Sequence, residues 1–114
     1  EFGFNLSIGD DFDAGCGLKI IDCNEVSIGN NVTIGENVGI YTSNHAKDPK
    51  LRCDHWCSEL PIRIGNNVVI ESNSVILPGT IIEDNVWIRP GSVVLGRIEA
   101  DSICAGDPAR RESK

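Results

Sequence analysis

Methionine is absent from this chain of 114 residues, and rings are scarce: three Phe, two Trp and one Tyr. So few aromatics leave little material for a large irregular core, whereas twelve glycines suit tight corners repeated many times. The length is that of one domain. With no methionine present, Glu1 reads as a trimmed, processed or internal start. No apolar run approaches the ~20 residues that a membrane-spanning helix needs, and no basic segment followed by an apolar stretch opens the chain. Neither a membrane anchor nor a signal peptide is therefore expected, and the expected location is cytoplasmic. Clustered cations are lacking as well. A net charge of −7 argues against recognition of a phosphate backbone and so against nucleic acid as a partner. The five cysteines, at positions 16, 23, 53, 57 and 104, are odd in number and irregular in spacing, which speaks against a disulfide framework and for free thiols in a reducing compartment. Cys53, His55 and Cys57 form a compact Cys-x-His-x-Cys group, but zinc sites add a second pair of ligands that this chain does not supply, so no metal is expected.

What is present is a beat of six residues. Ile64, Ile70, Ile76, Ile82, Ile88 and Val94 recur at every sixth position, and four places after the first five stand Val68, Ser74, Thr80, Val86 and Ser92. A helix repeats its buried face at 3.6 residues and a strand at two, so an apolar position that returns only at six marks a solenoid. Each hexad is one short strand plus a corner, with the aliphatic residue and the small or β-branched residue four places on both facing inward. Three hexads close a triangular coil, and successive coils stack about 4.8 Å apart with parallel pairing. The fold class expected is all-β, a parallel β-helix of about five coils.

Earlier in the chain the same beat holds in a looser form through Phe2, Ile8, Ala14 and Ile20, with Leu6, Phe12 and Leu18 at plus four. It slips by two residues between Asp22 and Ser27, as a small corner insertion requires, and resumes at Ile28, Ile34 and Ile40. Residues 41–61 carry no hexads, yet Ile64 returns in the phase of Ile28, so this segment is a loop that leaves the coil and comes back in register. It holds His45, the Asp48-Pro49 turn signal and Trp56, and ordered excursions of this length are usually functional. Beyond the main ladder, Ile98 and Ile103 continue less regularly into Gly106 and Pro108, which end the coil. The domain expected is 1–109, followed by a basic tail, 110–114, holding Arg110, Arg111 and Lys114.

The segments Ile28-Gly-Asn-Asn-Val-Thr-Ile-Gly, Ile40-Tyr-Thr-Ser-Asn-His-Ala-Lys-Asp-Pro, Ile64-Gly-Asn-Asn-Val-Val-Ile, Val75-Ile-Leu-Pro-Gly and Ala105-Gly-Asp-Pro-Ala-Arg resemble the hexapeptide-repeat acyltransferases, most closely the maltose and galactoside O-acetyltransferase branch. The resemblance spans nearly the whole chain, and the histidine loop between two hexad blocks is its most specific part. It implies a left-handed β-helix, an exception to the right-handed crossover rule. It also implies a homotrimer with active sites between subunits, acetyl-CoA as co-substrate and a small hydroxyl or amine acceptor such as a sugar. A slender prism whose flat faces are uncharged makes self-association reasonable on physical grounds as well.

Moving an acetyl group from a thioester to a hydroxyl needs a base for the hydroxyl proton, and imidazole titrates in the useful range. His45 matches the family's catalytic histidine and is expected to act as general base in a direct ternary complex. By the same resemblance Ser72 lies against the thioester and oxyanion. Pro90, Leu95 and Gly96 fall where the family holds pantetheine, and Arg110, Arg111 and Lys114 where it meets the nucleotide phosphates. Gly15, Asp22 and Cys23 fall at the acceptor site. The chain also departs from the family. Gly15 and Cys23 stand where an asparagine and an acid are usual, Val69-Ile-Glu replaces Trp-Ile-Gly, Ile88-Arg-Pro-Gly replaces Ile-Gly-Ala-Gly, and Leu95-Gly replaces Thr-Lys. Glu71 opposes an anionic cofactor, whereas Arg89 and Arg97 bring positive charge back. The other reading these departures leave open is a catalytically silent trimeric β-helix that binds a ligand or partner without transferring acyl groups.

Overall fold

The computed structural model describes residues 5–22, 24–43 and 60–112, and every regular element among them is a β-strand. The first coil is β1 (Leu6–Ile8), β2 (Asp13–Ala14) and β3 (Lys19–Ile21). The second is β4 (Val26–Ile28), β5 (Thr33–Ile34) and β6 (Gly39–Tyr41). The third is β7 (Ile62–Ile64), β8 (Val69–Ile70) and β9 (Val75–Ile76), and the fourth is β10 (Ile81–Ile82), β11 (Trp87–Ile88) and β12 (Val93–Val94). Two sides of a fifth follow, β13 (Arg97–Ile98) and β14 (Ile103–Gly106), before β15 (Ala109–Arg111) turns back. The strands stack into three sheets: a first of β1-β4-β7-β10-β13, a second of β2-β5-β8-β11-β14-β15, and a third of β3-β6-β9-β12. All pairings are parallel except β14 with β15.

The six-residue beat is the core. Ile64, Ile70, Ile76, Ile82, Ile88 and Val94 are fully buried, and so are Val68, Ser74, Thr80, Val86 and Ser92 at plus four. Burying one such aliphatic side chain contributes about 1.5–3 kcal/mol, and each is stacked on its counterparts in the coils on either side, so the ladder gains stability coil by coil. The first coil has a neighbour on one side only among the described residues, which is why Leu6, Phe12, Ala14, Leu18 and Ile20 are only partly buried. The three buried hydroxyls of the ladder are bonded to backbone: Ser74 Oγ and Ser92 Oγ donate to the carbonyl of Arg89 at 3.1 and 2.7 Å, and Thr80 Oγ1 to Leu77 O at 2.6 Å.

The corner joining the first sheet to the second explains the repeated Gly-Asn-Asn. Asn31 and Asn67 adopt φ of 58° and 56°, the left-handed region that asparagine tolerates better than most side chains. The preceding asparagines reach across coils, Asn66 Oδ1 accepting the N–H of Asn30 at 2.7 Å and Asn30 Oδ1 that of Asp10 at 2.7 Å. A Cβ at Gly29 would stand 2.4 Å from Asn66 Oδ1, so the residue before each of these asparagines has to be small.

Length varies at one edge only, where the third sheet leads back to the first. Ile8 pairs with Ile28, which fits two extra residues at 22–25, and Ile28 pairs with Ile64 across the long loop. Ile82 pairs with Ile98, so the corner after Val94 is two residues short. This shortening corrects the sequence expectation for the last coil. The residue in register with Ile88 is Cys104, buried, while Ile103 points outward and is exposed. Arg110 and Arg111 are likewise not a tail: both belong to β15, and the chain reverses at Gly106, whose φ is 106°.

Candidate functional site

Ser72 sits half-buried at the corner between the second and third sheets, on the third coil. Its hydroxyl accepts the N–H of Glu36 at 3.0 Å, its carbonyl accepts the N–H of Gly91 at 2.9 Å, and the N–H of Asn73 reaches Glu36 O at 2.8 Å. These bonds lock the residue between the second and fourth coils. Gly15 lies at the same corner on the first coil and Pro90 on the fourth, so three of the residues expected at the site form one edge of the prism.

The opposite edge of the third sheet holds Leu95, Gly96 and Asp22. Leu95 and Gly96 form the shortened corner after β12. Leu95 is exposed, and a Cβ at Gly96 would meet nothing within 4 Å. Asp22 lies on the first coil of this edge and is fully buried, its carboxylate accepting the N–H of Asn5 at 3.1 Å and its carbonyl the Asn5 side-chain amide at 2.9 Å. The loop leaves the second coil here. Thr42 and Ser43 are buried at its root, Thr42 Oγ1 donates to Ile21 O at 2.6 Å, and the N–H of Leu60 closes the neck on Thr42 O at 2.9 Å. His45, the residue assigned as base, is two places beyond this root and lies outside the described residues, as do Cys23, Lys114 and the Cys53-His55-Cys57 group.

At the C-terminal end, β15 pairs Cys104 with Arg111 and Ala105 with Arg110. Side chains alternate along a strand, so Arg111 shares the inward side with buried Cys104 while Arg110 and Glu112 share the outer face of the second sheet. The two arginines therefore do not address one ligand from one side. Burial pushes the Cys104 thiol above its ordinary value, with Arg111 opposing the shift. On the outer face Trp87 Nε1 donates to Glu71 Oε2 at 2.6 Å, the Arg89 guanidinium lies 5.5 Å from the Trp87 ring centre, and Arg89 Nε donates to Glu112 Oε1 at 3.2 Å. Sequence reading noted Glu71 and Arg89 singly. Their grouping with Trp87 and Glu112 depends on strand register, which no local pattern displays.

Residues 61–98 match the family model described as bacterial transferase hexapeptide (six repeats), and residues 25–43 match the hexapeptide repeat of succinyl-transferase. The galactoside O-acetyltransferase of Escherichia coli K12 is 41% identical over 110 residues, covering 96% of this chain and 54% of that protein. The crystal structure of a maltose O-acetyltransferase from Clostridium difficile 630 superposes with a TM-score of 0.89 at 36% identity, over 99% of this chain and 60% of the other. The chain belongs to the hexapeptide-repeat transferase family. A galactoside acetyltransferase in complex with coenzyme A superposes with a TM-score of 0.88 at 37% identity, over 99% of this chain and 56% of the other. The chain spans about half the length of the curated relatives it matches.

In this hexapeptide-repeat chain the edge bearing Ser72 and Pro90 and the edge bearing Leu95, Gly96 and the loop root are separated by the width of the third sheet. Between them runs an outer face that carries Tyr41, Val75, Leu77 and Val93. The corner of the Ser72 edge on the fourth coil is open, since a Cβ at Gly91 would meet nothing within 4 Å. Among the described residues no group of three or more His, Cys, Asp or Glu could hold a metal ion, and no helix is long and apolar enough to cross a membrane.

Proposed function

We propose that this chain is the β-helical part of a CoA-dependent O-acetyltransferase, transferring an acetyl group from acetyl-CoA to a hydroxyl of a small acceptor, with a sugar as the favoured class. The observation that carries the reading is the likeness, over 99% of the chain, to a galactoside acetyltransferase in complex with coenzyme A. His45 serves as general base, taking the acceptor hydroxyl proton as the oxygen attacks the thioester carbonyl in a ternary complex, with no covalent enzyme intermediate. Ser72 stands beside the thioester, and its backbone locking supports that role because an oxyanion donor must be held in place before charge develops. Pro90, Leu95 and Gly96 line the pantetheine path and Arg110 meets phosphate. Gly15 and Cys23 border the acceptor, while Asp22, fully buried and bonded to Asn5, orders the backbone of the first coil.

Since one chain holds these residues on two separate edges, the site is completed by a neighbouring copy, in a homotrimer with three sites between subunits. The chain acts in the cytoplasm. The test combines the protein, acetyl-CoA and a panel of sugar, amino-acid and amine acceptors and measures thiol release. Acceptor-dependent release that disappears in His45→Ala supports transfer. Silence across the panel without CoA binding leaves the non-catalytic binding protein, the reading that Gly15 and Glu71 favour.

A further inference from the structure

Four residues brought together by strand stacking make a single device on the outer face of the second sheet. Glu71 fixes the indole of Trp87 through its Nε1–H, the Arg89 guanidinium lies against that indole, and Glu112 holds Arg89 by Nε. Cation–π contact and a charge-assisted hydrogen bond thus hold the guanidinium over the ring and by its inner nitrogen. The two terminal nitrogens, each with two N–H donors, have no described partner. The bond to Glu112 takes one of the five guanidinium N–H donors and leaves the terminal nitrogens for a ligand.

Register says where those nitrogens lie. Glu71, Arg89, Ala105 and Arg110 form one row across β8, β11, β14 and β15, because Ile70 pairs with Ile88, Ile88 with Cys104, and Ala105 with Arg110. Arg89 and Arg110 are thus two strand spacings apart, about 10 Å, with Ala105 in the row between them and the Glu112 carboxylate on Arg89 Nε. The row runs beside the edge that holds Ser72 and Pro90.

We propose that Arg89 is a preorganised phosphate-binding residue that acts together with Arg110 on the diphosphate-bearing end of coenzyme A. The proposal rests on the CoA reading above and adds a specificity residue to it. The position is glycine in the pattern that this chain otherwise resembles, and the compensating cation appears beside Glu71, the carboxylate that would otherwise oppose an anion. Glu71 keeps its charge, and its carboxylate is engaged as the hydrogen-bond acceptor that holds the indole platform.

The test is direct binding, which needs no acceptor. Calorimetric titration of the full chain compares CoA with pantetheine, which keeps the thiol arm and lacks phosphate, for the wild type, Arg89→Gln and Arg89→Lys. Arg89→Gln is expected to raise the Kd for CoA about tenfold or more, the scale of one lost charge-assisted contact. The Kd for pantetheine should change less than twofold, and Arg89→Lys should recover part of the loss. Added salt should weaken CoA binding by the wild type more than by Arg89→Gln. If Arg89→Gln weakens both ligands alike, or neither, Arg89 only pins β15 and the proposal is overturned while the CoA reading stands. A wild type that binds no CoA overturns both.

Discussion

Gly35 and Ser72 touch across neighbouring coils so closely that a Cβ on Gly35 would lie 2.6 Å from both the amide nitrogen and the hydroxyl oxygen of Ser72. The glycine is thus the floor on which the serine rests. Gly35→Ala should push Ser72 off the Glu36 N–H and destabilise the chain by about 1–3 kcal/mol, the usual range for overpacking. Ser72→Ala removes only the hydroxyl and should cost about 0.5–1.5 kcal/mol. Denaturant unfolding of the two variants gives the order. Equal losses, or a neutral Gly35→Ala, would show that the corner yields.

Thr80 is buried, and its hydroxyl reaches two carbonyls, Leu77 O at 2.6 Å and Val94 O at 3.1 Å. Replacing it by Val keeps the shape and removes the donor, so Thr80→Val should cost about 1–3 kcal/mol. Thr33→Val, on the exposed outer face of the second sheet, should stay within about 0.5 kcal/mol. A Thr80→Val variant as stable as the wild type in thermal melts would mean that Leu77 O and Val94 O are satisfied by their backbone partners alone.

Acid should find the first sheet at Glu83. The hydrogen bond from Arg97 (Nε to Oε2, 2.6 Å), and then that from the N–H of Ala100, hold its carboxyl below the usual glutamate range. A depressed folded-state pKa means that the stabilisation is present above the unfolded-state value and is lost as pH falls through the folded one. The ion pair is at the surface, so the effect is small and screened by salt. Melting temperatures of the wild type and Glu83→Gln should therefore differ near neutrality and converge as pH drops below the ordinary glutamate range. A gap that widens in acid would reverse the assignment.

Cys16 is exposed, whereas Cys104 is buried with its thiol pushed up by burial. Since the thiolate is the reacting form, iodoacetamide at mildly alkaline pH should label Cys16 rapidly and Cys104 only as the last coil opens, followed by peptide mapping. Rapid labelling of Cys104 in the folded chain would show that β15 does not cover it.

The inward columns could be read directly because each is a single aliphatic residue on a fixed beat, and burial of Ile64 through Val94 depends on nothing else. The corners were legible in part: Gly-Asn-Asn signals a turn, although the bond from Asn66 to the coil before it needs the register to be known. The last coil was misjudged because Ile103 looks a better core residue than Cys104, and only the two-residue shortening after Val94 puts the thiol inside. Arg110 and Arg111 read as a basic tail because antiparallel return onto β14 leaves no trace in a six-residue pattern. Of the proposed site, Ser72 rests on likeness to a family alone, since a six-residue pattern does not set one corner serine apart from another. The Glu71, Trp87, Arg89 and Glu112 set was not legible, since those residues meet across three strands.

Two edges of the prism keep strict count, while the third has absorbed a small bulge, a long excursion and a deletion without disturbing one stacked isoleucine. That third edge works as an expansion joint. New sequence can be spliced into it as cargo, and the plain turn from Leu77 to Thr80 on the third coil is the vacant berth, the place where a foreign peptide could be displayed beside the native loop.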